Sequence, residues 1–371
     1  GLNSPAGPQT GIYDEHVHQG YVEATALNAW TADTGSWFRA RSPELYIQGS
    51  VAGTAGVARA LPGIHVPTLI IQGTIDTLFP MIEGIHNEAQ IAASGVPTKM
   101  IFFCGGHTSA TVFQNSLTKT CLQDPANGPT QSTVVNAQIL AWLDRYVKGD
   151  RVNTGPHVQY QLQDGTFGAA AILPPATVRA SGSATVVNQV VPTSGALLAP
   201  THGQDGTLIP VPVHAGDTVL GLPVLNVKVS GEGTDGELFF KLVDRAPDGS
   251  YTVADDQVTP LRLLPVPSSP KRYSVEMTGY SWRIDEGHSL FLEVSSTSND
   301  YESSRVPALM NVDATIAVPV VVSSSSVAQV LGKRISASRL PATGVGEPWA
   351  IGGVLLGMAF AVAGALRRAR A

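Results

Sequence analysis

The chain has 371 residues, more than one ordinary core accommodates, so two or more domains are expected. Hydrophobic residues make up 43% and charged residues 14%, which excludes a disordered chain. The mild net charge of −6, with no basic stripe to follow a phosphate backbone, excludes a nucleic-acid partner.

Residues 1–61 are irregular, with Trp30 and Trp37 and one amphipathic helix expected around residues 19–29. This stretch lacks the apolar runs of a central sheet and reads as a cap or lid. The chain opens on Gly1 with no signal-peptide pattern behind it, so a truncated parent is expected. His16 and His18 have no acidic or cysteine partner at ligand spacing. They read as loop histidines, and no metal or cofactor is expected. Asp33 and Glu44 are candidate pocket residues of the cap.

Residues 62–150 have an α/β texture. Val66-Pro67-Thr68-Leu69-Ile70-Ile71-Gln72-Gly73 is a short apolar run ending in glycine, as a parallel strand buried on both faces requires. Helical spacing over residues 83–94 ends at Gly95, and Lys99-Met100-Ile101-Phe102-Phe103 predicts a second buried strand. Val135, Ile139, Leu140, Leu143 and Val147 then share one helical stripe that Gly149 ends. Strand, helix, strand, helix predicts part of a doubly wound parallel sheet.

From residue 151 to about 322 helical periodicity disappears. Alternating or β-branched runs at residues 222–229, 237–243, 273–276 and 289–294 are separated by turn signals such as Asp164-Gly165 and Pro247-Asp248-Gly249. This rhythm predicts an all-β domain of the β-sandwich type. His202, His214 and His288 fall within it and read as structural. Residues 323–339 include a serine run and read as a linker.

Residues 340–371 hold Leu340-Pro341-Ala342-Thr343-Gly344, an apolar stretch at about residues 349–366, and Arg367-Arg368-Ala369-Arg370. In this order they resemble the cell-wall sorting signal of Gram-positive surface proteins. Roughly 18 apolar residues reach about 27 Å as a helix, close to a hydrocarbon core, and the arginines would stay cytoplasmic. The resemblance implies sortase cleavage between Thr343 and Gly344 and transfer to peptidoglycan. A plain C-terminal membrane anchor is the alternative, and either reading places the preceding residues outside the cell.

Two residues carry the chemistry. Asp76 follows the first buried strand in Gly73-Thr74-Ile75-Asp76, and His107 follows the second in Cys104-Gly105-Gly106-His107. Catalytic groups gather beyond the carboxyl ends of strands in open α/β sheets. An α/β-hydrolase triad runs nucleophile, acid, histidine, and this pair fits its last two places. Spacing alone leaves a second reading, in which Asp76 caps the next helix and His107 is an ordinary loop histidine. Cys104 and Cys121 are the two cysteines; in an oxidising compartment they bridge, and otherwise they remain two thiols.

Residues 66–80, Gly105-Gly106-His107 and Ala141-Trp142-Leu143-Asp144-Arg145-Tyr146-Val147-Lys148-Gly149 resemble the end of the catalytic domain in the X-Pro dipeptidyl-peptidase and cocaine esterase (CocE/NonD-type) group. The resemblance extends through about residue 317, although Ser295-Ser296-Thr297-Ser298-Asn299-Asp300-Tyr301 is the nearest thing to a motif in its β part. It implies a jelly-roll-like second domain and a serine hydrolase acting on ester, amide or peptide bonds, with Asp76 as acid and His107 as base. One required part departs from the pattern: no Gly-x-Ser-x-Gly elbow precedes Asp76. Ser36 and Ser50 follow no buried strand and lack the elbow's glycines, so no nucleophile is assigned and this chain alone is expected to be inactive. The rival expectation is a surface-anchored protein binding carbohydrate or another ligand on a degenerate hydrolase scaffold.

Overall fold

A computed structural model describes residues 3–4, 7–8, 14–42, 63–106, 131–188, 206–298, 300–301 and 304–322. It divides the chain into two units, Gly1–Ser42 with Lys333–Ala371, and Pro43–Gly332.

In the first unit, β1 (Asn3–Ser4) and β2 (Gly7–Pro8) form a two-residue antiparallel ladder, followed by α1 (Glu15–Leu27) and α2 (Ala32–Arg39). Asp14 caps α1 by accepting from His16 N at 3.0 Å, and Asn28 ends it in the left-handed conformation. Glu23 ties the two helices together. It accepts from Thr31 N at 2.8 Å and from Gln19 Nε2 at 2.7 Å, and these bonds hold its carboxyl down at about 2. Gly20 provides the close approach, since a Cβ there would lie 3.0 Å from the Phe38 ring.

The second unit contains a four-stranded sheet in the order β3-β4-β5-β6. Strands β3 (Thr68–Gly73), β4 (Thr98–Phe103) and β5 (Val158–Gln161) are parallel, and β6 (Phe167–Ala170) closes the sheet antiparallel to β5. Helix α3 (Met81–Ala92) links β3 to β4. Helix α4 (Gln131–Leu143) runs into a π-helical turn, Asp144–Lys148, which Gly149 ends at φ 83°. Both strands and both helices expected between residues 66 and 148 are present, but only β4 is buried as expected: β3 stands at the end of the described sheet, mostly half-buried, with Ile71 exposed. Two further strands, β5 and β6, join the sheet beyond the break at Gly149. Met81, Ile85, Met100, Phe102, Val158 and Tyr160 form the core of this part, and Leu220 reaches it from the all-β part.

The remaining strands form two antiparallel sheets. One runs β14 (Lys271–Glu276), β10 (Val224–Glu232), β17 (Ala308–Val321), β9 (Thr218–Gly221), β15 (Tyr280–Arg283), with β7 (Ala176–Asn188) also on β17. The other runs β12 (Tyr251–Val253), β11 (Gly236–Arg245), β16 (Ser289–Ser295), β8 (Thr207–Val211), with β13 (Thr259–Leu263) also on β11. Side chains of both sheets build one core, including Val227 and Val312 from the first and Phe240 and Leu292 from the second. Strand β17 shows the period-two pattern that makes this possible: Met310, Val312, Ala314 and Ile316 are buried while Asn311, Asp313 and Thr315 are exposed. The four β runs read from the sequence coincide with β10, β11, β14 and β16.

Residues Gly236–Asp244 of β11 are buried without interruption, so both faces of that strand are covered. Lys241 therefore cannot reach water. Its side chain and that of Glu293, its register partner on β16, are both 0% exposed, with Nζ 3.1 Å from Oε1. Lys241 Nζ also donates to Thr297 O at 3.1 Å, which adds the geometry a buried pair needs to offset its desolvation.

No helix among the described residues is long and apolar enough to cross a membrane. Residues 323–371, including Thr343, Gly344 and the expected span at 349–366, lie outside the described residues.

Lys241→Met strands a buried carboxylate and is expected to destabilise the protein by about 3–5 kcal/mol. Adding Glu293→Leu is expected to recover most of that loss, as read by urea-unfolding midpoints of the two variants. A double variant as unstable as the single would show that the pair is not the controlling interaction.

Candidate active site

Strands β3 and β4 are neighbours in parallel register, Thr68 opposite Thr98 through Gly73 opposite Phe103, so their following loops leave the same edge of the sheet. Thr74 N donates to Phe103 O at 2.8 Å and carries the ladder one residue further. Two residues later Asp76 is buried at 5% exposure. Its Oδ1 accepts from Leu78 N at 3.0 Å and Phe79 N at 2.9 Å, the self-closing turn that aspartate forms readily. Gln72 Nε2 closes the loop from below by donating to Phe79 O at 2.6 Å. Pro80 then leads into α3, which takes no side-chain cap. Asp76 thus serves its own loop rather than the helix cap.

The second loop lies directly against the first. A Cβ at Gly73 would sit 2.0 Å from Gly105 O, and one at Gly106 would sit 2.6 Å from Asp76 Cα. No side chain fits at either place, so these glycines set the approach of the two loops. Cys104 N donates to Gln161 Oε1 at 2.9 Å in a fully buried contact, and Cys104 packs with Ile75 in a small apolar cluster of its own. His107 follows Gly106 but lies outside the described residues, as does Cys121. Cys104 itself is disulfide-bonded.

Polar groups from the all-β part surround the first loop. Gln257, 1% exposed, points its Nε2 at Thr74 O (3.0 Å), Asp76 O (3.1 Å) and Asp255 O (3.2 Å). Asp255 and Asp256, in a short 3-10 turn after β12, both adopt positive φ, 49° and 53°. Asp255 is fully enclosed, and burial pushes its carboxyl well up against the pull of the Ser281 N–H. Burial likewise raises Asp256 to about 7. Asp300 is raised to about 8, by burial first and by Asp256 second, while Lys241 pulls the other way.

Other sequence candidates are placed elsewhere. Ser36 lies within α2 and donates to Ala32 O at 2.7 Å. His16 sits 3.0 Å from Asp14 and stacks on Trp37, and Asp33 is exposed in the first turn of α2. His288 Nδ1 is 2.9 Å from Asp244, and His214 is exposed. Glu44, Ser50 and His202 lie outside the described residues. Gln161, Gln257, Asp255 and Ser281 were not marked by any motif.

No known family profile and no curated protein sequence matches the chain. Among solved structures, it is similar to an aminopeptidase from the marine sediment archaeon Thaumarchaeota archaeon, with TM-score 0.56 and 15% identity, covering 85% of this chain and 65% of that one. An α-amino acid ester hydrolase matches with TM-score 0.50 and 13% identity over 81% of this chain and 60% of its own. A CocE/NonD family hydrolase from Staphylococcus aureus gives TM-score 0.40 and 12% identity over 68% of this chain and 54% of its own. The first two place the chain in the fold of these hydrolases, and the chain spans less than two thirds of either one's length.

Gly73→Ala forces the Gly105 carbonyl to move and is expected to cost about 1–3 kcal/mol, seen as a lower melting temperature. An unchanged melt would show that the two loops are further apart.

The buried acids give a pH dependence with a definite sign. Asp256 and Asp300 have raised folded-state values, so the folded chain binds more protons than the unfolded chain above about pH 4. Their contribution is full below about pH 4, is lost as pH rises to 7–8, and changes little beyond. Asp256→Asn is expected to gain stability relative to wild type as pH rises across that window. Urea midpoints at pH 4.5, 6 and 8 that stay parallel for the two proteins would contradict this.

Proposed function

We propose that this chain carries the acid, Asp76, and the base, His107, of a serine hydrolase that cleaves ester or amide bonds, peptide bonds included. The observation that supports it most is the seating of Gly106 on the backbone of buried Asp76 at the shared edge of β3 and β4. His107 is the next residue in the chain, and consecutive Cα atoms are only about 3.8 Å apart. In this reading the two adjacent strand ends would offer a carboxylate and an imidazole in the chain order that an α/β-hydrolase requires. Their roles follow from charge. His107 would take the proton of a serine hydroxyl as it attacks the substrate carbonyl and return it to the leaving group. Asp76 would hold the tautomer and stabilise the imidazolium between those steps.

The nucleophile is assigned to polypeptide outside these residues. No Gly-x-Ser-x-Gly elbow occurs upstream of Asp76, and the similar hydrolases extend well beyond the length this chain spans. This chain by itself is accordingly inactive. The neighbours' names, aminopeptidase and α-amino acid ester hydrolase, fit a substrate with an aminoacyl group. The all-β part, of jelly-roll type in this reading, borders the site. Leu340-Pro341-Ala342-Thr343-Gly344 and the apolar span after it would fix the enzyme to a Gram-positive type surface through sortase.

The test is to express the complete coding sequence without residues 340–371 and treat it with a fluorophosphonate probe. Labelling of one serine is expected, lost in His107→Ala, with ester turnover in Asp76→Asn lower by a factor on the order of 10⁴. A folded full-length protein that does not label, or that labels equally in His107→Ala, would overturn the reading and favour a ligand-binding role.

A further inference from the structure

We propose that Gln257 is a positioning residue for the reaction: from the all-β part, it grips the acid loop and, through Ser281 and Gln161, couples it to the loop that leads to His107. The proposal rests on the serine-hydrolase reading above. Three carbonyl oxygens, those of Thr74, Asp76 and Asp255, converge on one buried amide nitrogen at 3.0–3.2 Å. Since all three neighbours are acceptors, the group between them must donate, and a neutral carboxamide does so without adding a buried charge. The contact bridges 181 residues of sequence between Asp76 and Gln257.

The network continues in one direction. Asp255 Oδ2 accepts from Ser281 N at 2.6 Å, Ser281 Oγ donates to Gln161 O at 2.9 Å, and Gln161 Oε1 accepts from Cys104 N at 2.9 Å. Gln161 Nε2 is itself held by Gly165 O at 3.2 Å. Each catalytic loop is therefore held by a buried glutamine, and the two glutamines are joined through Asp255 and Ser281. The turn that aims Gln257 has two successive non-glycine residues in the left-handed region, a conformation that persists only where its surroundings enforce it. A turn needed only to join β12 to β13 would have no call for that strain.

The predicted signature differs from that of general destabilisation. In the full-length protein, Gln257→Leu removes the donor at similar volume. Hydrolysis of p-nitrophenyl butyrate is expected to lose about tenfold to a hundredfold in kcat with KM little changed, because the acid is misplaced rather than the substrate. The acidic limb of the pH profile is expected to move to lower pH, since an imidazolium less well supported by Asp76 gives up its proton sooner. Amide exchange at Leu78 and Phe79, whose N–H groups bind Asp76 Oδ1, is expected to quicken while exchange in β10 and β17 stays unchanged. If Gln257→Leu does not fold, Gln257→Met keeps the side-chain length, removes the donor without adding a charge, and should show the same signature. A folded variant with an unmoved pH limb and unmoved exchange at Leu78 and Phe79 overturns the proposal. If the wild-type protein neither labels nor turns over ester, the serine-hydrolase reading fails. The exchange measurement then still decides whether Gln257 holds the loop.

Discussion

The parallel pairing of β3 with β4 is the constraint on which the candidate site depends. Strands in a sheet lie about 4.8 Å apart, so two loops leaving adjacent parallel strands at one edge must share very little space. Here that space is filled by backbone, with Gly105 O against Gly73 and Gly106 against Asp76. One carboxylate oxygen of the aspartate, Oδ1, is then held locally by Leu78 N and Phe79 N. A site built this way is stiff because its spacing is set by main chain rather than by adjustable side chains.

Close backbone packing creates a difficulty, since loop carbonyls buried at the edge of a sheet have no ladder to join. The all-β part resolves it. Gln257 takes the carbonyls of Thr74 and Asp76, while Thr278 O accepts from Ile82 N at 2.9 Å at the start of α3. Leu220 enters the apolar core beneath β4 and β5. The two parts of Pro43–Gly332 are thus joined by polar and apolar contacts at the level of the catalytic loops. Removing the all-β part would expose Met81 and leave the acid loop's carbonyls without these donors.

Much of this was legible in the sequence, for physical reasons. Continuous apolar runs made β3 and β4 visible, although only β4 is buried along most of its length, and Gly73 marked where the first loop begins. Helices α3 and α4 were visible from helical spacing and their glycine stops at Gly95 and Gly149, but the stripe read for α4 is not its buried face: Leu140, Leu143 and Val147 are exposed, while Val134, Gln138 and Trp142 are buried. Strands β5 and β6 were harder to assign to this sheet, because a parallel strand can return from far along the chain and carries no mark of its partner. The two glutamines were invisible for a related reason. Gln161 lies 57 residues from Cys104, and Gln257 lies 181 from Asp76. A single amide in a polar or alternating stretch has no period, and its partners are main-chain atoms common to every residue type. Asp255 and Asp256 are the partial exception: a pair of acids between two strands is unusual, but only the fold reveals that both are buried.

The choice of a neutral amide at residue 257 follows from what an acid in a triad must do. Lysine is tolerated in this interior, as Lys241 demonstrates, but there the charge faces Glu293 and is neutralised by it. A cation beside Asp76 would instead compete with an imidazolium for the same carboxylate and weaken the support that the base requires. A carboxylate in that place would repel the loop's carbonyl oxygens and oppose ionisation of Asp76. Glutamine avoids both effects by binding the carbonyl oxygens of Thr74 and Asp76 without adding a charge. The neighbouring acids obey the same restriction. Burial raises Asp255 and Asp256 toward their neutral forms, which limits additional negative charge beside the acid loop at acidic pH. The acid loop's backbone is thus held by a neutral amide, which in the proposed reading leaves the carboxylate of Asp76 to govern one imidazole.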